Sequence, residues 1–103
     1  METLRGVWYD PRHGACVRVI THLHDDVWQL AGAYGEDEAG APGTPWRAHV
    51  QVRDARFLIV DFYDKRTAHD RIMHALWCPD VREIHWEDGH VWKKLYSEGD
   101  AAA

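Results

Sequence analysis

The residues of this chain best able to do chemistry are histidine, aspartate and tryptophan. His22 and His24 stand at i and i+2, a spacing that sets two imidazoles on one face of a β-strand, as β-scaffold metal sites do. A third ligand would come from His49, His74 or His85, with Asp25 or Asp26 adjacent. With 8 His in the chain such pairs also arise from composition, and the downstream Glu and His of cupin-type sites are missing. A solvated or strand-end pair is the plainer reading. A small metal-dependent enzyme built on this His-rich face is the alternative. Asp61 interrupts the apolar run Phe57-Leu58-Ile59-Val60-Asp61-Phe62, and a carboxylate in such company must pair or shift its pKa. It is either a ligand anchor or general acid/base, or the partner of Arg18, Arg47 or Lys65 in an ion pair that fixes strand register.

The 6 Trp residues (Trp8, Trp28, Trp46, Trp77, Trp86 and Trp92) supply more aromatic area than a core of this size needs. Their plain use is packing, with each indole N–H bonded to backbone. Their functional use is an aromatic-lined cavity or a stacking surface for a sugar, a ring compound or a protein partner. Other chemistries are excluded. Ser97 is the sole serine and stands near the C-terminus, and no Gly-x-Ser-x-Gly occurs. No phosphate loop and no Gly-x-Gly-x-x-Gly occur either. Cys16 and Cys78, far apart and without a Cys-x-x-Cys pair, fit two reduced thiols or at most one bridge. No catalytic residue, metal ligand or cofactor is assigned.

The elements that must position these residues read mostly at period two. Strands are expected at Val7 to Tyr9, Ala15 to Leu23, Val27 to Tyr34, Trp46 to Val52 and Arg56 to Tyr63. Asp25-Asp26 makes a tight turn, and residues 35–45 (GEDEAGAPGTP) form the one long loop. Ile84 to Trp92 is a hairpin about Asp88-Gly89; a bulge at Gly89 would bring Trp92 onto the face of Ile84 and Trp86, the register the tryptophans favour. Residues 67–77 are contested. Thr67 and Asp70 resemble a capping box, and Ala68, Ile72, Met73 and Leu76 share a helical face. The strand alternative alternates Met73, Ala75 and Trp77.

Four blocks carry a resemblance: Gly6-Val7-Trp8-Tyr9-Asp10-Pro11-Arg12-His13, Val60-Asp61-Phe62-Tyr63-Asp64-Lys65, Ala75-Leu76-Trp77, and Ile84 to Lys94 (IHWEDGHVWKK). In this order they resemble a family of short, uncharacterised β proteins known mainly from algae and plants. That family opens on Gly-x-Tyr/Trp-x-Asp-Pro-x-His, continues with Val-Asp-Phe-x-x-Lys and closes on Ile-x-Trp-x-Asp-Gly-Asn-x-Trp-x-Lys. His90 stands where the family has Asn, and residues 66–75 replace a Gly-rich stretch. The resemblance implies an antiparallel sheet curled into a small barrel and implies no activity. The opening Gly-Val-Trp-Tyr-Asp is also similar to the first strand of avidin-like barrels.

The chain of 103 residues is one domain's length and can bury a core without a staple. The fold expected is all-β: a small antiparallel barrel or strongly curled sheet of six to seven strands over residues 1–96, with at most one short helix around 67–77 and a frayed tail at 97–103. Trp8, Val17, Val19, Trp28, Leu30, Val50, Leu58, Val60, Phe62, Ile84, Trp86 and Val91 are the expected core. A net charge of −5, from 17 acids against 12 bases, disfavours a nucleic-acid partner. No apolar run approaches a membrane span, and the start has no signal-peptide pattern, so a soluble and by default cytoplasmic protein is expected. The function expected is a non-enzymatic module binding a small ligand or a protein. Tyr34 and Trp46 should flank its site at one barrel end, the 35–45 loop should cover it, and Asp61 should reach inward as a polar anchor.

Overall fold

The computed structural model describes residues 3–13, 17–35, 42–65 and 70–96. Eight strands follow one another in chain order: β1 (Gly6–Tyr9), β2 (Val17–His24), β3 (Val27–Ala33), β4 (Pro45–Arg53), β5 (Phe57–Asp61), β6 (Ile72–Cys78), β7 (Glu83–Trp86) and β8 (Val91–Tyr96). Each pairs antiparallel with the next, and β1 closes on β8, so the sheet is a complete up-and-down barrel. Closure leaves no unpaired strand edge. The only helical element described is a 3₁₀ turn at Pro11–His13.

The contested segment supplies β6 and brings the count to eight rather than the six to seven expected. β6 pairs along its length with β5 (Ile59 opposite His74, Val60 opposite Met73) and with β7 (Ala75 opposite Trp86, Trp77 opposite Ile84). A helix there would leave β5 and β7 as two open edges, and this gain in pairing outweighs the helical face that the local pattern offers. Of the two readings open for this segment, the strand holds over Ile72–Cys78 and the short helix does not form there; residues 66–69 lie outside the described residues. The frayed tail and the Asp/Glu-rich middle of the long loop also lie outside them.

Alternation sorts the inner face. Trp8, Ile20, Leu30, Trp46, Ala48, Val50, Leu58, Val60, Ala75, Trp77, Ile84, Trp86 and Trp92 are buried there, with Leu4 and Tyr34 closing the ends. Trp8 and Trp77 meet edge to face at 5.4 Å across the interior, and the Trp8 indole N–H donates to the Leu4 carbonyl at 2.9 Å. Strand β2 departs from expectation. Val17 and Val19 face outward, 50% and 38% exposed, while Arg18 and Ile20 face in. The register decides it: Arg18 stands opposite Trp8 and Ile20 opposite Leu30, so β2 must share the inner parity of its neighbours. Trp28, Phe62 and Val91 are half-buried rather than core, with Trp28 and Phe62 packed against it. The closing hairpin takes the bulged register. Gly89 has φ +91°, its N–H donates to the Trp86 carbonyl, and Ile84 faces Trp92.

Candidate functional site at the aromatic end

Because every strand reverses direction, the β1–β2, β3–β4, β5–β6 and β7–β8 connections leave the barrel at one end. Inner-face residues near that end include Arg18, Gly32, Tyr34, Trp46, Phe62, Trp86 and Trp92. Their rings form a chain. Trp46 meets Phe62 at 5.8 Å, Phe62 meets Trp86 at 5.8 Å, and Trp86 meets Trp92 at 4.8 Å. The Arg18 guanidinium joins the two ends of this chain, 5.0 Å from the Trp46 ring centre and 6.0 Å from that of Trp92. From the β5–β6 connection, the Lys65 ammonium stands 4.7 Å from Trp46 and 5.8 Å from Phe62. Two cations thus flank one indole, an arrangement the negative ring faces favour.

Arg18 is fully buried, and a charge in that position must be answered locally. Its Nη1 donates to the Ala33 carbonyl at 3.2 Å and its Nη2 lies 3.6 Å from the buried Asp10 carboxylate. Asp10 also accepts the Arg12 backbone N–H, which fixes the chain leaving β1. Gly32 makes room for the group. A Cβ there would stand 2.6 Å from Trp46 Cζ2 and 2.9 Å from Arg18 Cδ, so the missing side chain is what lets ring and guanidinium stem lie against β3.

Among the described residues, no acceptor meets the buried indole N–H of Trp46 or of Trp86. Trp8, which has its carbonyl partner, shows what the ordinary arrangement looks like. An indole nitrogen is a donor only, and leaving one unpaired in the interior costs about 1–3 kcal/mol. Both orphaned donors belong to the same ring chain.

Tyr34 and Trp46, expected to flank one end, do stand together there. Gly32 pairs with Trp46 and Ala33 with Pro45, and beyond them the Tyr34 N–H donates to the Thr44 carbonyl at 3.0 Å. Both side chains are buried rather than forming an open rim. Asp61 does not reach inward. Its position in β5 puts it on the outer face with Phe57 and Ile59, where Arg71 donates to it twice, at 2.6 and 3.1 Å. Those bonds, partly offset by desolvation and aided by the charges of Arg71 and His49, hold its carboxyl below the usual range. Asp61 forms an ion pair with Arg71, a partner that was not among those expected.

The β7–β8 turn borders the same end. The Asp88 carboxylate accepts the His90 backbone N–H at 3.0 Å and lies 2.8 Å from His90 Nδ1. Burial pushes its pKa up, but the two His90 bonds and the charges of His90 and Arg12 outweigh this and hold it low. Glu87 is held by His74, whose backbone N–H and Nδ1 lie 3.2 and 3.3 Å from its carboxylate.

His22 and His24 lie at the opposite end, beside the β2–β3 turn. His22 Nε2 is 2.8 Å from the Asp25 carbonyl with its ring on Trp28, and His24 Nδ1 is 3.5 Å from the Asp25 carboxylate. Among the described residues no group of three or more His, Cys, Asp or Glu is placed to hold a metal ion. His49 and His74 instead lie against Tyr63 and Phe57 on the outer wall, and His85 meets Glu83. Cys78 is a free, half-buried thiol, and Cys16 lies outside the described residues. Among the described residues no helix is long and apolar enough to cross a membrane.

Searches of protein-family models, curated proteins and solved structures found no match to the chain. The resemblance to the algal and plant family therefore rests on its sequence blocks alone.

The sequence reading named Arg18 only as a partner for Asp61 and did not place it at the centre of this arrangement, where it faces Asp10. One signal was available: an arginine between Val17 and Val19 in a strand whose other face carries Ile20. Counting aliphatics favours the valine face, and only the pairing partners reverse that choice.

Proposed function

We propose that the chain is a non-enzymatic binding module that takes a small molecule at the aromatic end of its barrel. The observation that carries this is the pair of buried indole donors, Trp46 and Trp86, that meet no acceptor among the described residues. A fold that leaves two such donors in one ring chain gains from a ligand that supplies acceptors. The surrounding rings supply the apolar lining that small-molecule sites use. Tyr34 closes this end beside Trp46, and the half-buried Phe62 is the ring nearest the outside.

The test is a screen of sugars, ring compounds and lipids by Trp fluorescence and thermal shift on the full chain. A true ligand at a hundred times its Kd raises stability by about 2.7 kcal/mol, which is readily seen. It should lose that effect in Trp86→Phe, which keeps the ring and removes the donor. A library without a single compound that shifts emission and melting together overturns the small-molecule reading.

A protein-interaction reading draws on a different surface. Val17, Val19 and Leu95, each more than a third exposed, lie on the outer wall of β2 and β8, flanking Val7 and Tyr9 of β1. Contiguous apolar wall of this kind marks interaction sites. Val19→Lys should abolish any partner capture that depends on it while leaving the melting temperature within a few degrees.

A further inference from the structure

Resting on that reading of the aromatic end, we infer that its ligand carries a hydroxyl group on an apolar ring, and that His90 accepts the hydroxyl's hydrogen bond. His90 follows the bulge at Gly89 and stands across the hairpin from Trp86, whose backbone N–H donates to the His90 carbonyl at 2.8 Å. It has the parity of Trp92, an inner residue of β8, which puts its side chain at the mouth of the barrel. The next pair along the hairpin, His85 and Val91, takes the outer side.

One nitrogen of the His90 ring is held. Nδ1 is buried and lies 2.8 Å from the Asp88 carboxylate oxygen that also accepts the His90 backbone N–H. Two lone pairs repel at that distance, so Nδ1 carries a proton. The contact is bent, since no acceptor lies straight ahead of Nδ1 among the described residues. A proton fixed on Nδ1 makes Nε2 the lone-pair nitrogen of the neutral ring. The side chain is 37% exposed although Nδ1 is buried, so the exposure falls on the far edge, where Nε2 stands. Among the described residues nothing meets Nε2.

Trp86 and His90 therefore set opposite capacities side by side. The Trp86 indole N–H only gives a hydrogen bond, and the neutral Nε2 only takes one. Side chains facing each other across antiparallel strands start about 5 Å apart, so one small group can reach both. A hydroxyl answers both, its oxygen accepting from Trp86 and its O–H donating to Nε2. A ketone or an ether answers Trp86 alone. The rings of Phe62 and Trp92, 5.8 and 4.8 Å from that of Trp86, supply the apolar wall for the ring that bears the hydroxyl.

The experiment titrates the full chain, ¹⁵N-labelled, with phenol, anisole and toluene at pH 8. Phenol keeps donor and acceptor, anisole keeps the acceptor alone, and toluene has neither. The readouts are the ring nitrogens of His90 and the indole N–H of Trp86. The free chain should show a protonated Nδ1 and a bare Nε2. Phenol should move Nε2 and the indole resonance together, and bind about tenfold more tightly than anisole, the worth of one hydrogen bond. His90→Phe, which keeps a ring, should bring phenol down to the level of anisole and leave anisole unchanged. Should that variant fail to fold, the comparison of phenol with anisole on the native chain decides alone. Equal binding of the two, or a proton found on Nε2 in place of Nδ1, overturns the role of His90, while an indole shift with either compound leaves the ligand site standing. Toluene binding as tightly as phenol overturns the hydroxyl. If none of the three moves either residue, the hydroxyl-bearing ring is refuted, and the site itself then stands or falls on the wider screen.

Discussion

Gly32→Ala probes the joint between the sheet and the cation–ring stack with a single methyl group. The added Cβ would stand 2.6 Å from Trp46 Cζ2, where ordinary contact begins at 3.4 Å, so the ring must retreat by the difference, about 0.8 Å. Arg18 Cδ, at 2.9 Å, must also give. Neither has free space, since both side chains are almost fully buried and lie against each other. Overpacking of this kind costs about 1–3 kcal/mol. Replacing glycine returns roughly 0.4–1 kcal/mol through the unfolded chain. The net loss expected is about 1–2 kcal/mol, or a fall in Tm on the order of 5–15 °C for a domain of this size. Urea and thermal unfolding followed by Trp fluorescence read it directly. The cause is read by a double-mutant cycle with Trp46→Phe, which removes the Cζ2 atom: Gly32→Ala should then cost less in the Phe background. An unchanged or raised Tm, or equal costs in both backgrounds, refutes the close approach of β3 to Trp46.

Three further outcomes are expected. Ala55 sits at φ +66° beside Asp54 at φ +51°, in the turn closed by the Arg56 N–H to the Arg53 carbonyl, so Ala55→Gly should stabilise the chain by up to about 1 kcal/mol in urea unfolding. Asp10→Ala leaves Arg18 buried without its carboxylate and should cost about 3–5 kcal/mol, whereas Asp10→Ala with Arg18→Met should recover much of that loss, the comparison being made by chemical denaturation. For Asp88, whose folded pKa is depressed, the stabilisation is present above its unfolded pKa of about 3.9 and is lost as pH falls through the folded value. The gap in Tm between the native chain and Asp88→Asn should therefore be open at pH 6 and close as pH is taken below about 4, as followed by circular dichroism.

How much of this was legible depended on whether local pattern or pairing decided the point. The hairpin at Asp88-Gly89 was readable because the turn residues fix the register: a glycine at φ +91° makes the bulge, and the bulge turns Trp92 inward. The inner faces of β4 and β5 were readable because one parity holds Trp46, Ala48 and Val50, or Leu58 and Val60, against polar or half-buried neighbours. On β2 the outer parity holds more aliphatics (Val17, Val19 and Leu23) than the inner one, so hydropathy points the wrong way and the Trp8–Arg18 pairing decides. Residues 72–78 satisfy a helical and a strand pattern together, and only closure of the barrel separates them. The site divides the same way. The proximity of Tyr34 and Trp46 followed from the β3–β4 connection, but the Arg18–Trp46–Lys65 stack joins three strands' worth of sequence and has no local signature.

The indoles of the barrel interior are not all served alike, and the proposed function draws on this difference. Beside the Arg18 rung, Trp8 packs edge to face on Trp77, its N–H is met by Leu4, and the Lys94 ammonium donates to the Thr3 carbonyl at 2.7 Å. There even the buried cation bonds back to the chain's own N-terminal segment. At the aromatic end, two indole donors go unmet and a glycine is given up so that an arginine can lie against a tryptophan. Each of those choices lowers stability, and a module selected only to fold would fill the space with aliphatics, as it does around Leu58, Val60 and Ile84. Two unmet indole donors set side by side in one ring chain are a cost that packing alone does not explain, which is why the proposed binding site is placed there. Side chains can still be exchanged there with the sheet kept: Phe62 and Lys65 lie beyond the last residue of β5, and the Phe62 N–H to the Arg71 carbonyl, at 2.8 Å, is a backbone bond that a change of side chain retains.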